Sequence, residues 1–262
     1  MSDETVFASD AVPIDILTVL RNIRRPESPQ DIARLLDELC ACAQPLTLAF
    51  VNAHAVNLAQ SNPTFLNDLA QADIVLRDGK GMEILYRLAG MSAGANMNGT
   101  DLIPRLLDTL KGRRMVILGT RSPWVEGAVS HLRDKGHHIA DSRDGFQDVA
   151  VYRDIVARHR PDVVLLGMGM PVQERVARVL CTDAEYGTLV ICGGAILDFM
   201  AGRVPRAPRW MRHAGLEWLY RLSREPRRLA GRYVVGNITF LYRAWRLSRL
   251  LRQSSQNGDT AR

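Results

Sequence analysis

Short aliphatic runs recur along about the first 200 residues, and a polar or glycine-rich turn follows each run before a stretch with helical spacing. The runs do not alternate strictly between apolar and polar positions, which is typical of strands buried on both faces. The pattern therefore predicts an α/β fold with a mostly parallel sheet and flanking helices. The predicted strands are Leu46–Val51, Ile74–Leu76, Met115–Leu118, Val163–Leu166 and Leu189–Cys192.

Helices are predicted before and between these strands. Ser28 is a good N-cap, Pro29 suits the first helical position and Asp31 supplies an acid to the first turn, so a helix should run from here to about Ala43. In parallel sheets, ligands bind beyond the carboxyl ends of the strands. We therefore expect the chemistry in the turns between strands and helices. The helices predicted after strands are Ala53–Gln60, Trp124–Arg133 and Val172–Leu180.

The C-terminal part has a different pattern. Between positions 203 and 252 there are thirteen Arg, no Lys and two acids, a net charge of +11 in a chain of net charge +6. Its longest uncharged run, Tyr233 to Tyr242, is about half of the roughly 20 residues that a membrane-spanning helix needs. At helical spacing the end of this segment is amphipathic. The cationic half carries Arg243, Arg246, Arg249 and Arg252, and the apolar half carries Phe240, Leu241, Ala244, Leu247 and Leu251.

Segregated positive charge indicates a surface that meets phosphate, in lipid or in nucleic acid. Seven of the sixteen aromatic residues lie among these arginines, which suits the headgroup layer of a membrane. The same rings could stack on bases, so an RNA-binding module is the alternative. For the last helix alone, packing on the core with a solvated arginine face explains the pattern equally well. The further arginines between 203 and 232 favour an anionic membrane surface, without a nucleic-acid partner.

Composition bounds the organisation of the chain. With 262 residues and 47% apolar content, it can form one large core, expected at 1–202, with a basic amphipathic appendage at 203–252 and a disordered tail at 253–262. The acidic N-terminus has no apolar h-region, so we expect no signal peptide and a cytoplasmic protein. The four cysteines have no zinc-ligand spacing and are expected to be reduced core residues.

Glycines cluster in the turns after the predicted strands. A dinucleotide fingerprint would need glycine at position 172, where Val172 stands, so a nicotinamide or flavin cofactor is not expected. Gln173 is expected to contact the ligand, and Glu174 is interpreted as a first-turn acid favoured by the helix dipole. The chain has no D-x-D pair, so we expect no metal site and charge stabilisation by side chains or helix N-termini. The glycines expected to admit a nucleotide diphosphate are Gly119, Gly145, Gly167, Gly169, Gly193 and Gly194.

Polar residues follow the strands as well. Asp78 ends the second strand and could act as a general base, although position alone favours an N-cap for the following helix. Asn52 follows the first strand and could bind a sugar or phosphate, with stabilisation of the turn nearly as good an explanation. Thr100 is expected to cap the helix that opens at Gly99.

Together these motifs resemble the WecG/TagA/CpsF glycosyltransferase family over nearly the whole chain after about Pro13. The most specific parts are the blocks beginning at Arg206-Ala207-Pro208 and at Glu217-Trp218. The resemblance implies a Rossmann-like core with a basic, helical, membrane-docking C-terminal appendage. It also implies an inverting enzyme, without a cofactor or metal, at the cytoplasmic face of the inner membrane. Such an enzyme transfers a sugar from a UDP-sugar to the 4-hydroxyl of a sugar on a polyprenyl diphosphate.

The resemblance also assigns roles to residues. It makes Asp78 the base rather than a cap, and places Asn52 and Gln173 in the catalytic site. Several relatives carry Arg where this chain has Asn96, so Lys80 or an arginine of the appendage would have to take over its role. The residues expected to bind the acceptor or a diphosphate are Thr100, Arg206, Arg209, Arg221, Arg227 and Arg228.

The most specific expectation from the resemblance concerns the substrates. It is the transfer of glucose from UDP-glucose to glucosyl-diphosphate-polyprenol, in β-1,4 linkage, during assembly of a xanthan-like exopolysaccharide repeat unit. The alternative donors are UDP-N-acetylmannosamine and its uronic acid, because no pattern in the sequence identifies the donor sugar. A membrane-recruited scaffold with an inactive nucleotide pocket is a further alternative. The sequence leaves open whether the chain forms a homo-oligomer.

Overall fold

The computed structural model describes residues 15–213, 215–224 and 226–259, except the side chains of 209, 213, 228, 232, 233 and 254–259. Within these residues six strands form one sheet. They are β1 (Leu46–Val51), β2 (Ile74–Arg77), β3 (Arg114–Gly119), β4 (His138–Arg143), β5 (Val163–Gly167) and β6 (Leu189–Cys192). Their order in the sheet is β2-β1-β6-β5-β3-β4, and every pairing is parallel. The predicted α/β fold is thus confirmed.

Helices connect the strands and cover both faces of the sheet. The helix predicted to begin after Ser28 does so, with a capping box between Ser28 and Asp31, and ends three residues before Ala43. The helices are α1 (Ile16–Asn22), α2 (Pro29–Cys40), α3 (Ala53–Ala59), α4 (Pro63–Ala70), α5 (Gly79–Leu88), α6 (Gly99–Thr109), α7 (Trp124–Asp134), α8 (Val149–His159), α9 (Val172–Asp183), α10 (Ile196–Met200), α11 (Arg209–His213), α12 (Glu217–Arg224), α13 (Pro226–Ala230), the π-helical segment Gly231–Val235 and α14 (Gly236–Asp259).

Strand β4 is the one that the sequence pattern missed. It lies at an edge of the sheet and pairs with β3 alone, so most of its residues stay partly exposed and include His138, Asp141 and Arg143. The criterion of a continuous apolar run applies only to strands covered on both faces and sides, and an edge strand does not meet it.

The sheet separates two apolar layers. Successive strand residues point to opposite faces, so Val164 and Leu166 pack with one set of helices, while Val163 and Leu165 pack with the other. Helices α1, α3, α4, α5, α8, α9 and α14 contribute to the first layer, and α2, α6, α7 and α10 to the second.

The last helix is part of the first layer. Its apolar side packs on α3 and α5, burying Phe240 and Leu247. The Phe240 ring lies so close to Gly81 that a Cβ there would approach it to 3.0 Å. Leu241, expected on the apolar side, is instead 49% exposed.

Polar contacts hold the same helix in place. Arg243 Nη1 donates to the carbonyl of Asn57 at 2.7 Å, and Asn57 Nδ2 donates to the carbonyl of Gly236 at 2.7 Å. Arg243 is therefore half-buried against α3. The helix thus packs on the core, while its contact with a membrane stays a prediction. In the described part of the chain, no helix is long and apolar enough to cross a bilayer.

Replacing Phe240 by alanine should lower the free energy of unfolding by about 3–5 kcal/mol, because a large buried ring leaves a cavity against Gly81. The matched control is Tyr242→Ala on the exposed side of the same helix, which should change it by less than about 0.5 kcal/mol. Phe240 is 2% exposed and Tyr242 is 60% exposed. Urea unfolding measures both. Equal effects of the two substitutions would contradict the packing of α14 on the core.

Candidate active site

The carboxyl ends of all six strands lie along one edge of the sheet, and most of the residues expected to bind ligand lie there. Adjacent strand ends are tied by backbone hydrogen bonds, from Asp78 to the carbonyl of Val51 at 2.8 Å and from Gly193 to the carbonyl of Leu166 at 2.8 Å. The order along the edge, from β2 to β4, is Asp78, Asn52, Gly193, Gly167, Gly119 and the turn containing Gly145. The structure thus brings these residues into one row.

The glycines of this row serve two purposes. Gly119 has φ +148°, and a Cβ there would lie 2.5 Å from the backbone of Gly167, so this glycine allows two strand ends to approach each other. Gly169 and Gly194, by contrast, have positive φ, and a Cβ added at either would meet nothing within 4 Å. Open space beside an exposed backbone is what a diphosphate requires. The turns at Gly169 and Gly194 therefore leave room for a ligand beside them.

The side chain of Gln173 connects the two turns that contain Gly169 and Gly194. Its Oε1 accepts hydrogen bonds from the N–H of Gly169 at 3.2 Å and from the N–H of Gly194 at 2.9 Å. Its side chain is 1% exposed. The amide thus holds the turns after β5 and β6 in a fixed relation. Its expected contact with the ligand stays a prediction.

Glu174 lies beside Gln173 in the first turn of α9 and is buried rather than a surface acid. Gln173 Nε2 donates to Glu174 Oε1 at 2.8 Å, while Glu174 Oε2 is buried and has no partner among the described residues. Burial raises the pKa of the Glu174 carboxyl to about 7, and the nearby Asp68 carboxylate acts in the same direction. Asp68 itself is paired with Arg178 at 2.6 Å.

Asp78 and Asn52 occupy the N-cap positions of α5 and α3, but they behave differently. Asn52 Oδ1 accepts from the N–H groups of His54 at 3.0 Å and Ala55 at 3.1 Å, so Asn52 does stabilise its turn. Asp78 makes no side-chain capping bond to α5 in the described structure. Capping therefore does not explain the presence of an aspartate at this position.

The cap of α6 corrects one expectation. Asn98, not Thr100, is the N-cap, and its Oδ1 accepts from the N–H of Thr100 at 2.8 Å. The Thr100 hydroxyl accepts instead from Arg206 Nη2 at 3.2 Å. Thr100 thus meets the basic appendage rather than only the first turn of its helix.

Three arginines of the appendage gather around the core. Arg206 and Arg212 both donate to Asp101 Oδ1, at 2.9 and 3.2 Å, and Arg221 lies over the ring of Phe199 with 5.6 Å to its centroid. The Nε atoms of all three arginines are buried without a partner among the described residues. Asp101 thus pairs with two of these guanidinium groups, and the three Nε–H groups are left as donors that an anion could accept.

Three other arginines were expected to bind the acceptor or a diphosphate, namely Arg209, Arg227 and Arg228. Arg227 is exposed on α13, and the side chains of Arg209 and Arg228 lie outside the described residues. Arg212 was missed by the sequence analysis. The sequence does contain a signal for Arg212, because Arg206, Arg209 and Arg212 recur at intervals of three residues.

Thr120 is a second residue that sequence reasoning missed. It follows β3 at the carboxyl edge with φ +45°, a left-handed conformation that is costly for a β-branched residue. Its hydroxyl donates to Asp198 Oδ1 at 2.6 Å, and Arg203 pairs with the same oxygen at 3.1 Å. Strain held by such contacts is characteristic of functional sites.

Among the described residues, no group of three His, Cys, Asp or Glu side chains could hold a metal ion.

The raised pKa of Glu174 makes a prediction about stability. Between the ordinary value of 4.5 and about 7, the folded state binds a proton that the unfolded state has released, so stability falls as the pH rises through this range. The contribution is on the order of 3 kcal/mol. In Glu174→Gln this part of the slope should disappear, as measured by urea unfolding at pH 5 and pH 8.

The control for this measurement is Glu126→Gln, in the exposed first turn of α7. This variant should keep the slope of the original protein. Parallel pH dependences of the original protein and Glu174→Gln would show that Glu174 is not a buried acid with a raised pKa.

The chain is similar to known glycosyl transferases. The model of the glycosyl transferase WecG/TagA/CpsF family matches residues 17–255. An N-acetylglucosaminyldiphosphoundecaprenol N-acetyl-beta-D-mannosaminyltransferase of Bacillus subtilis (strain 168) is 28% identical over 184 residues, 68% of this chain and 72% of that protein. The protein with the same description from Bacillus spizizenii (strain ATCC 23059 / NRRL B-14472 / W23) is 30% identical over 175 residues, 65% of this chain and 68% of that protein. The chain therefore belongs to the WecG/TagA/CpsF family of glycosyl transferases.

Proposed function

We propose that the protein transfers a hexosyl group from a UDP-sugar to a sugar carried on a polyprenyl diphosphate. The observation that carries this proposal is the docking of the arginine-rich segment against the same edge of the sheet that presents Asp78. A Cβ at Gly215 would approach Lys80 Cγ to 2.3 Å, and Asn98 Nδ2 donates to Glu217 at 3.4 Å. A carboxylate that can accept a proton therefore lies at the same edge of the sheet as cations that can bind diphosphates.

For the donor we favour UDP-N-acetylmannosamine, with N-acetylglucosaminyl-diphosphate-polyprenol as the acceptor. Both relatives are described as N-acetylmannosaminyltransferases that act on an undecaprenol-linked acceptor. The UDP-glucose donor and the xanthan-type product expected from the sequence have no support among these relatives. The alternative donor of the sequence analysis is therefore the better one.

In the proposed mechanism, Asp78 removes the proton of the acceptor hydroxyl while that oxygen attacks the anomeric carbon of the donor. The new carbon–oxygen bond forms as the bond between the anomeric carbon and the diphosphate breaks, so the configuration inverts and UDP leaves with the bonding electrons. A positioned base of this kind contributes about 10² to 10⁴ in rate. The arginines would neutralise diphosphate charge without a metal.

We also propose that the enzyme binds peripherally to the cytoplasmic face of the inner membrane through the outer side of α14. Ile238, Tyr242 and Trp245 are exposed there. Arg246 lies over the Tyr242 ring at 6.0 Å and Arg249 over the Trp245 ring at 5.0 Å. Aromatic rings and cations on one surface suit an anionic headgroup layer. The alternative, an RNA-binding role, predicts an RNA affinity that falls steeply with salt, and no sugar transfer.

The donor is tested by incubating the intact protein in detergent with EDTA and each labelled donor. The donors are UDP-N-acetylmannosamine, its uronic acid and UDP-glucose, and each is offered to N-acetylglucosaminyl- and glucosyl-diphosphate-polyprenol. We expect label to enter lipid from UDP-N-acetylmannosamine, and Asp78→Asn to lower kcat by about 10² to 10⁴ while the fold is kept. Label from UDP-glucose alone would restore the glucosyl assignment. If no label enters lipid with any combination of donor and acceptor, with or without Mg²⁺, the proposed function is wrong.

The arginine cluster gives a separate expectation. Arg212→Ala should lower kcat/KM for the lipid-linked acceptor or the donor by about 10- to 100-fold, since a hydrogen bond to a charged group contributes about 1.5–3 kcal/mol. Arg105→Ala is the control, because Arg105 is exposed on α6, the helix that carries Thr100 and Asp101. Steady-state kinetics measure both variants. Values for Arg212→Ala within twofold of the control would exclude Arg212 from diphosphate binding.

A further inference from the structure

The turn that follows β2 is held by side chains from two directions. Gly79 comes directly after Asp78, has φ +86° and begins α5. Its N–H donates to Asn96 Oδ1 at 2.8 Å, and its carbonyl accepts from Arg77 Nη1 at 3.3 Å. Both polar groups of this one residue are therefore bonded to side chains. We call Arg77 and Asn96, which make these two bonds, the Gly79 clamp.

Arg77 is the buried half of the Gly79 clamp. Its side chain is 2% exposed at the end of an edge strand. Besides Gly79, it donates through Nε to the carbonyl of Ala93 at 2.5 Å and through Nη2 to the carbonyl of Gly94 at 2.7 Å. One guanidinium thus joins the turn after β2 to the loop that leads into α6. Burial lowers the pKa of Arg77, while the carboxylates of Glu83 and Asp78 act in the opposite direction.

The loop that carries Asn96 is itself fixed. Ala95 donates its N–H to the carbonyl of Pro26 at 2.6 Å, and Arg25 Nη1 donates to the carbonyl of Ser92 at 2.8 Å. A Cβ at Gly94 would lie 2.7 Å from the backbone of Arg25, so the loop packs tightly on this segment. The Gly79 clamp therefore rests on a rigid support.

Lys80, one of the two candidates for the role left open by Asn96, is engaged elsewhere. Lys80 Nζ pairs with Glu83 at 2.9 Å, and Glu83 also pairs with Arg87 at 2.8 Å. This network lies along α5. The contacts to the turn itself come from Arg77 and Asn96.

We propose that Arg77 and Asn96 are positioning residues. Through their hydrogen bonds to Gly79, they fix the Asp78 carboxylate in the position that proton transfer requires. The inference rests on the proposed role of Asp78 as the base. A base must lie within hydrogen-bond reach of the proton that it removes, and a displacement of about 1 Å can cost about 10² in rate. A residue with φ +86° on an exposed turn has other conformations close in energy, and two side-chain bonds restrict it to one.

The first test changes the residue that is held. Gly79, Gly112 and Gly136 all have φ +86° and nothing within 4 Å of an added Cβ. Alanine at each position meets the same backbone strain and the same empty space, so the three variants should lose similar stability. Only Gly79→Ala should lower kcat, by about 10- to 100-fold, with the KM of both substrates within twofold. An unchanged kcat in folded Gly79→Ala would overturn the inference.

The second test removes each half of the Gly79 clamp. Arg77→Met should lower kcat about 10- to 100-fold with little change in KM, whereas Arg87→Met, on the exposed end of the Glu83 network, should not. Asn96 is exposed, so its variants should fold even where Arg77→Met does not. Asn96→Leu should lower kcat in the same way. Asn96→Asp, which keeps an acceptor for the Gly79 N–H, should have most of the kcat of the original protein.

The outcomes separate this inference from the proposed function. If Asp78→Asn retains activity, Asp78 is not the base and the proposed mechanism fails, whatever the effect of Arg77. If Asp78→Asn is inactive while folded Arg77→Met and Asn96→Leu keep kcat within threefold, the Gly79 clamp is only structural and this inference alone fails. Loss of kcat in Asn96→Leu with recovery in Asn96→Asp would support it.

Discussion

The constraint on which the rest of the structure depends is that all described strands run in the same direction. Parallel strands place every carboxyl end on one edge of the sheet, so six turns from distant parts of the chain meet there. The central turns are packed so closely that glycine is needed at 119 and 167. The centre of this edge is therefore formed by backbone, while Asp78 lies at its β2 end.

Buried polar groups stabilise that edge rather than the apolar layers. Gln173 ties two turns with one oxygen, and Thr120 and Asp198 tie the end of β3 to α10. Such bonds restrict the turns at the cost of burying polar atoms, of which Glu174 Oε2 has no described partner. The turns at this edge are therefore fixed relative to one another.

Much of the fold could be predicted from the sequence because its strands are buried on both faces. β1 and β6 lie where their apolar runs predict them, and β5 extends by one residue. β4 was missed because an edge strand tolerates polar residues. Asn98 was missed as a cap because no apolar periodicity marks the segment before it. For the candidate site, the sequence predicted the positions of Asp78 and Asn52, because each directly follows a buried strand. The contacts of Arg206 and Arg212 with Asp101 join residues more than a hundred positions apart, and no local pattern encodes them.

The packing of α14 has a consequence for how the chain folds during synthesis. This helix follows all six strands in the sequence, yet it covers α3 and α5, which are made much earlier. Until α14 leaves the ribosome, those helices expose an apolar face to solvent, and such transiently exposed surfaces promote aggregation. The apolar faces of α3 and α5 are therefore covered only after nearly all of the preceding elements have been made.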